Sequence, residues 1–149
     1  MRTYFDSSVI TKWYLPEADS DAALRLRARF RPPAVLTHLH RVELVTAWYV
    51  KVFRKELSET IVMQALGDLA ADVQSGIWGV PLYDLVDVHE RAEALARAHC
   101  AKLGGRTLDI LHVAAAAALG AREFVTNDHR QGLMAQAAGL RLIRLHPKR

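Results

Sequence analysis

The chain has 149 residues, 51% of them apolar, and a formal net charge of +4. This size and composition predict a single domain over residues 1–149 with a sizeable core, and they exclude a disordered chain. The one cysteine, Cys100, excludes an intramolecular disulfide framework and favours a reducing cytoplasm. No apolar run approaches the ~20 residues that span a membrane, and the first ten residues lack a signal-peptide pattern, so we expect a cytoplasmic protein without a membrane segment.

The first half of the chain alternates between strand and helix patterns. A short strand, RTYF, precedes a predicted helix, DSSVITKWYL, that Pro16 ends. The next predicted helix, EADSDAALRLRARF, places acids before arginines, the order that the helix dipole favours. AVLTH is the predicted second strand. Apolar residues then recur at helical spacing over Leu39–Arg54 and Ile61–Val73.

The second half continues the alternation. GIWGVPLY, EFVTND and LRLIRL are the predicted third, fourth and fifth strands. Between them lie the predicted helices DVHERAEALARAHCAKLG, LDILHVAAAAALG, with Thr107 as its expected cap, and HRQGLMAQAAG. Strands separated by helices predict a parallel sheet covered on both faces. Such sheets place their functional sites beyond the carboxyl ends of the strands.

Four acids lie at or near such positions. Asp6 follows the first strand, Asp128 follows the fourth, and Asp109 opens the helix that precedes the fourth strand. Each of these three aspartates is also a plausible helix cap. Glu43 lies about one turn into the helix after the second strand, between two apolar stripes, which argues against a purely solvent-facing role.

Convergence of these acids would require a cation. Two carboxylates ~5 Å apart repel by ~3 kcal/mol at an effective dielectric of 20, so four would not remain ionised together without compensation. A hard divalent ion such as Mg²⁺, with Mn²⁺ as the usual substitute, provides it through oxygen ligands. Metal sites of this kind promote displacement at phosphorus, and the basic net charge favours a phosphodiester substrate.

Four segments carry a family resemblance. YFDSSVI, RVELVTAW, RTLDILHVAAAAALGA and EFVTNDHRQGLMAQAAGLRLI, in this order, resemble the PIN-domain ribonucleases, and among them the VapC toxins of bacterial toxin–antitoxin pairs. The resemblance covers essentially the whole chain. It implies a metal-dependent endoribonuclease, and a three-layer α/β/α sandwich around a five-stranded parallel sheet of order 3-2-1-4-5.

The resemblance also implies roles for individual residues. The catalytic acids would be Asp6, Glu43, Asp109 and Asp128. Asp6, Asp109 and Asp128 would hold Mg²⁺ or Mn²⁺, and Glu43 would orient or deprotonate the attacking water. Supporting hydrogen bonds would come from Ser7, Ser8 and Thr126.

Partners are also implied by the resemblance: an RNA substrate, a second copy of the toxin and an antitoxin segment. We expect Val42, Val45 and Tyr49 to face the core. This leaves Leu44, Trp48 and Phe53 as an apolar surface. An amphipathic antitoxin helix is the expected occupant of such a surface.

Other classes of protein explain less of the sequence. A phosphoacceptor receiver domain needs paired acids after the first strand, and a phosphatase of the haloacid type needs Asp-x-Asp, whereas this chain has DSS. The pair His38 and His40 is too small a set for a zinc site. A non-catalytic RNA-binding or scaffold protein remains the alternative, although it leaves the four acids unexplained.

Overall fold

The computed structural model describes residues 3–146, which form two compact units. One unit comprises residues 3–9 and 82–146, and the other comprises Ile10–Pro81. The strands are β1 (Thr3–Phe5), β2 (Ala34–Val35), β3 (Trp78–Gly79), β4 (Glu123–Val125) and β5 (Arg141–Ile143). The helices are α1 (Ser7–Tyr14), α2 (Ser20–Arg27), α3 (His38–Phe53), α4 (Glu59–Gln74), α5 (Leu85–Leu95), α6 (Ala101–Leu103), α7 (Thr107–Ala118) and α8 (His129–Ala137), with a π-helical turn, Ala96–Cys100, between α5 and α6.

The first unit is built on a three-stranded parallel sheet of order β1-β4-β5. Phe5 is in register with Val125, and Val125 with Ile143. The ladder continues one residue further, because the N–H of Asp6 donates to the carbonyl of Val125 at 2.9 Å. The carboxyl ends of the three strands therefore lie at one edge of the sheet. Arg2, which belongs to the predicted first strand, lies outside the described residues.

In the core of the first unit, the sheet contributes aromatic side chains and helix α7 contributes small ones. Tyr4 stacks on Phe124 with ring centroids 5.4 Å apart, and its hydroxyl hydrogen-bonds with Nδ1 of the buried His112 at 2.8 Å. Helix α7 packs against α5 and α8. Its alanines over 114–116 are completely buried, as expected for a helix that is apolar on every side.

The second unit contains a two-stranded parallel sheet, β2-β3. Its ladder extends to hydrogen bonds from Ala34 N–H to the carbonyl of Ile77 and from Leu36 N–H to that of Gly79, both 2.9 Å. A five-stranded sheet is therefore wrong for residues 3–146. The predicted second and third strands were too long. The second ends early because Thr37 caps helix α3, which begins at His38. In the third, Pro81 has no N–H to continue a ladder.

The alternation of strands and helices and the parallel pairing of the strands are confirmed. The chain alternates strands and helices, and every strand pair is parallel. The neighbours β1-β4-β5 and β2-β3 both occur in the expected order 3-2-1-4-5, but no β1-β2 pairing occurs within residues 3–146. A single domain over residues 1–149 remains a prediction.

Helix α3 is rotated relative to the expectation. Leu44 and Trp48 are completely buried, whereas Val42 is 67% exposed. The indole N–H of Trp48 donates to the hydroxyl of Thr11 at 3.0 Å, which satisfies its polar atom inside the second unit. Assigning Val42, Val45 and Tyr49 to the core was wrong, because all three are exposed. Among the helices within residues 3–146, none is both long and apolar enough to cross a membrane.

Candidate active site at the carboxyl edge of the sheet

The carboxyl ends of β1 and β4 bring two of the predicted site residues side by side. Asp6 follows Phe5, Thr126 follows Val125, and the two preceding residues are paired in register. Asp6 is only 7% exposed and Thr126 is completely buried. A carboxylate with so little contact with water depends on donors supplied by the protein.

Ser8 and Gln131 donate hydrogen bonds to the Asp6 carboxylate. Oδ2 accepts hydrogen bonds from the backbone N–H of Ser8 at 3.3 Å and from its hydroxyl. Oδ1 accepts a hydrogen bond from Nε2 of Gln131, on α8, at 3.2 Å. Asp6 therefore performs the capping role considered for it at the start of α1, and at the same time faces α8.

Asp128 is the N-cap of α8. Its Oδ1 accepts a hydrogen bond from the N–H of Gln131 at 2.8 Å, so the capping interpretation is confirmed. Its own N–H donates to the hydroxyl of Thr126 at 3.0 Å. Thr126 thus shapes the turn that carries Asp128 from the end of β4 into α8.

Asp109 lies in the first turn of α7 and is not a cap. Thr107, the expected cap, is the first residue of the helix, and the N-cap position belongs to Arg106, whose side chain makes no capping bond. The guanidinium of Arg106 instead forms an ion pair with Asp109, with Nε 3.1 Å from Oδ2. Gly105, at φ 141°, adopts the backbone conformation that makes this turn into α7 possible.

Asp109 and Asp128 face the same cleft. The cleft has a volume of about 380 Å³, and six residues line it: Gly105, Arg106, Asp109, Asp128, His129 and Arg130. Two carboxylates and two guanidinium groups thus share one concave surface of the first unit. Such a surface offers oxygen ligands for a cation beside donors for a phosphate.

Within residues 3–146, two buried polar oxygens, one in the residue after Asp6 and one in a residue bonded to it, have no hydrogen-bond partner. They are Oγ of Ser7 and Oε1 of Gln131, in residues that are 4% and 1% exposed. Ser8, another predicted supporting residue, is exposed, and its hydroxyl donates a hydrogen bond to Asp6. Glu43, the fourth predicted acid, lies half-buried on α3 in the second unit.

The donors of the first unit suit a hard cation better than a soft one. Asp6, Asp109 and Asp128 provide carboxylate oxygens, and the buried oxygens without partners add neutral ones. Within residues 3–146, however, no three side chains of His, Cys, Asp or Glu are grouped closely enough to hold a metal ion. An ion at this edge of the sheet would therefore be held by fewer than three of these side chains and would keep several waters, as Mg²⁺ does.

Sequence reasoning missed three residues of this region: Gln131, Arg106 and Arg130. The pattern Asp-x-x-Gln over Asp128–Gln131 resembles a capping box and marks Gln131 as a helix-start residue. A capping box would direct its side chain back to Asp128, whereas the structure directs it to Asp6, 125 positions away. The basic residues had no signal apart from their charge.

Comparison with known proteins extends these observations. The family model of the PIN domain matches residues 3–139. The fold is similar to that of a sarcin–ricin loop-cleaving toxin from Mycobacterium tuberculosis, VapC20, with a TM-score of 0.66 and 19% identity over 93% of this chain and 95% of that one. It is also similar to a chain of a toxin–antitoxin complex from Klebsiella pneumoniae, with a TM-score of 0.61 and 14% identity over 98% of both chains. No curated protein matches the chain by sequence.

The match to the family model spans nearly the whole of the described chain and includes the strand ends at which Asp6, Thr126 and Asp128 lie. The resemblance inferred from the four sequence segments is thereby confirmed, and this chain belongs to the PIN-domain family.

Proposed function

We propose that the protein is a metal-dependent endoribonuclease, the toxin of a type II toxin–antitoxin pair, that hydrolyses RNA phosphodiester bonds in the cytoplasm. The observation that carries the proposal is the meeting of Asp6 with the Thr126–Asp128 turn at the carboxyl ends of β1 and β4, in a chain of the PIN-domain family. The fold shared with VapC20, a toxin that cleaves the sarcin–ricin loop, makes RNA the substrate class that we test first.

Four acids would carry the chemistry. Asp6, Asp109 and Asp128 would hold Mg²⁺ or Mn²⁺, directly or through water, and Glu43 would orient or deprotonate the attacking water. When bound, the divalent ion neutralises charge on the phosphate and makes a coordinated water more acidic. Ser8 fixes one oxygen of Asp6, and Thr126 fixes the turn that presents Asp128.

The cleft beside these acids suits an RNA backbone. Arg106 has a side chain that is 80% exposed, and Arg130 and His129 are exposed next to it. A guanidinium group can bind two phosphate oxygens at once. Arg106, Arg130 and His129 would therefore hold the phosphates that flank the scissile bond. The ion pair of Arg106 with Asp109 would have to open when a cation and RNA enter.

The test is cleavage of labelled single-stranded RNA by the purified protein. We expect cleavage with Mg²⁺ or Mn²⁺, little with Ca²⁺, which prefers more ligands and longer bonds, and none in excess chelator. Asp6→Asn keeps the shape of the side chain and removes its charge, so we expect a folded protein whose cleavage falls at least 100-fold.

Three results would contradict this proposal. They are cleavage that persists in excess chelator, an active Asp6→Asn protein, and a wild-type protein that binds RNA without cutting it under any metal condition. The last would favour the alternative, a non-catalytic RNA-binding protein. Circular dichroism of Asp6→Asn is the control that its fold is intact.

The proposal includes two protein partners, a cognate antitoxin and a second copy of the toxin. The second unit exposes apolar side chains on α3 and α4, among them Val42 at 67%, Phe53 at 86% and Met63 at 61%. Exposed apolar groups on neighbouring helices are typical of protein interfaces. The fold shared with a chain of a toxin–antitoxin complex supports the antitoxin as the first partner to test.

A further inference from the structure

We infer that Gln131 is a positioning residue of the metal site, which orients the Asp6 carboxylate and thereby strengthens divalent cation binding. The inference rests on the proposed function, because it assigns Gln131 to the site that Asp6, Asp109 and Asp128 would form. It goes beyond that function, because Gln131 belongs to none of the roles that the family resemblance implies.

One residue, Gln131, touches two of the three proposed metal-binding acids of the first unit. Its side-chain Nε2 donates to Oδ1 of Asp6 at 3.2 Å, and its backbone N–H donates to Oδ1 of Asp128 at 2.8 Å. It is thus the bridge between the end of β1 and the start of α8. The two contacts come from different parts of the residue, so a side-chain substitution removes the first and keeps the second.

The buried state of Gln131 sets the direction of its amide. The residue is 1% exposed, and an amide oxygen turned toward the carboxylate of Asp6 would repel it, so Nε2 is the atom that faces Asp6. The other atom, Oε1, is buried and has no hydrogen-bond partner in the part of the chain that the structure describes. Leaving a buried acceptor without a partner costs free energy. Oε1 is bonded to the same carbon as Nε2, so the atom that lacks a partner lies beside the atom that holds Asp6.

An acceptor in this position is suited to a water molecule of a hydrated cation. Mg²⁺ and Mn²⁺ retain water molecules, and each such water needs acceptors for its protons. The hydroxyl oxygen of Ser7, also buried and without a partner, is a second acceptor of the same kind. Gln131 would therefore act on the cation twice, through the orientation of Asp6 and through Oε1.

The experiment compares Mn²⁺ binding, measured by electron paramagnetic resonance and by the Mn²⁺-induced rise in melting temperature, across variants of the full chain. Gln131→Met preserves the length of the side chain and removes both polar atoms. We expect its Mn²⁺ affinity to fall about tenfold or more, the usual effect of losing a partner of a metal ligand. Gln131→Glu places a second carboxylate against Asp6. We expect it to melt lower than the wild type in chelator and to gain more stability from Mn²⁺ than the wild type does.

Gln136→Met is the matched control, since Gln136 is exposed on the same helix, α8. A purely packing role for Gln131 would lower the melting temperature equally with and without Mn²⁺. Unchanged Mn²⁺ affinity in a folded Gln131→Met protein would therefore overturn the inference, as would a Gln131→Glu protein that Mn²⁺ stabilises no more than the wild type. Failure of the proposed function is distinguishable, because the wild type would then neither bind Mn²⁺ nor cleave RNA.

Discussion

Asp6 and Asp128 each cap the start of a helix, and each follows a strand of the three-stranded sheet. Asp6 accepts the N–H of Ser8 at the start of α1, and Asp128 accepts the N–H of Gln131 at the start of α8. Capping and metal binding are therefore not competing explanations of these residues, because a carboxylate has two oxygens and more than one lone pair on each. Asp109 differs, since it forms an ion pair with the exposed side chain of Arg106.

Tyr14 offers a pH-dependent test at the level of a single residue. Burial raises the pKa of Tyr14 well above its ordinary value, and the hydrogen bond that its hydroxyl donates to Asp72 raises it further. The neutral phenol therefore stabilises the folded protein below the unfolded-state pKa of about 10, and this stabilisation is lost as pH rises from there through the folded-state pKa.

Tyr14→Phe removes this hydrogen bond and leaves the indole N–H of Trp78, which donates to the same hydroxyl at 2.6 Å, without its acceptor. We expect a loss of about 1–3 kcal/mol in the free energy of unfolding at pH 7, measured by urea denaturation. The difference between wild type and variant should shrink as the pH is raised above about 10. A difference that grows in alkali would contradict the assigned role of the phenol.

Helix α3 of the second unit has a buried face that the sequence pattern could not predict. Helix α3 carries two apolar stripes of similar strength, and periodicity does not decide which of them is buried. The stripe with Leu44 and Trp48 is buried, and Thr11 provides the hydrogen-bond acceptor that the buried indole requires. That acceptor lies 37 positions away in the sequence, so no local pattern contains it.

Helix α8 and strand β5 approach each other at a glycine. A Cβ placed on Gly132 would lie 3.0 Å from Cδ2 and 3.2 Å from Cδ1 of Leu142, closer than ordinary contacts allow. We expect Gly132→Ala to lower the free energy of unfolding by about 1–3 kcal/mol through overpacking, against a gain of up to about 1 kcal/mol in helix propensity.

The matched variant is Gly132→Ala combined with Leu142→Val, which shortens the side chain that the new methyl group meets. We expect the second substitution to cost less in the Gly132→Ala background than alone, a coupling measured by a double-mutant cycle. Strict additivity of the two losses would show that the helix and strand do not meet at this position.

At the scale of the whole molecule, the order of strands and helices could be predicted, and with it the positions of Asp6 and Asp128 beyond strand ends, because the strand-end rule depends only on the order of elements along the chain. That the four predicted acids form one site stays a prediction. The extent of pairing could not be predicted, because β2 and β3 are only two residues long and end where a helix cap, Thr37, and a proline, Pro81, lie nearby. The role inferred for Gln131 could not be predicted either. Its contact with Asp6 exists only once β1 and α8 lie side by side.

The exposed apolar side chains of α3 provide a test of the proposed antitoxin. Phe53→Ser removes the most exposed of them and, since the ring contacts mainly solvent, should change the free energy of unfolding by less than about 0.5 kcal/mol. We expect the variant to retain RNA cleavage and to bind less of the small protein encoded by the adjacent gene after co-expression, as measured by size-exclusion chromatography.

Leu82→Ser is the control, because Leu82 is 91% exposed in the first unit and lies outside α3 and α4. It should bind the product of the adjacent gene as the wild type does. A wild-type monomer that neither associates with this product nor loses cleavage activity in its presence would refute both partner proposals and leave the nuclease proposal standing.

The alanines of helix α7 have a consequence for how sharply Asp109 is held. Alanine has no side-chain rotamers, so burying the residues over 114–116 costs no side-chain conformational entropy, and the packed state has no alternative side-chain arrangements to sample. Larger side chains in their place would lose rotamer freedom on burial and would overpack against the surrounding core. The helix that presents Asp109 to the cleft therefore packs through residues that lose no side-chain entropy when they are buried.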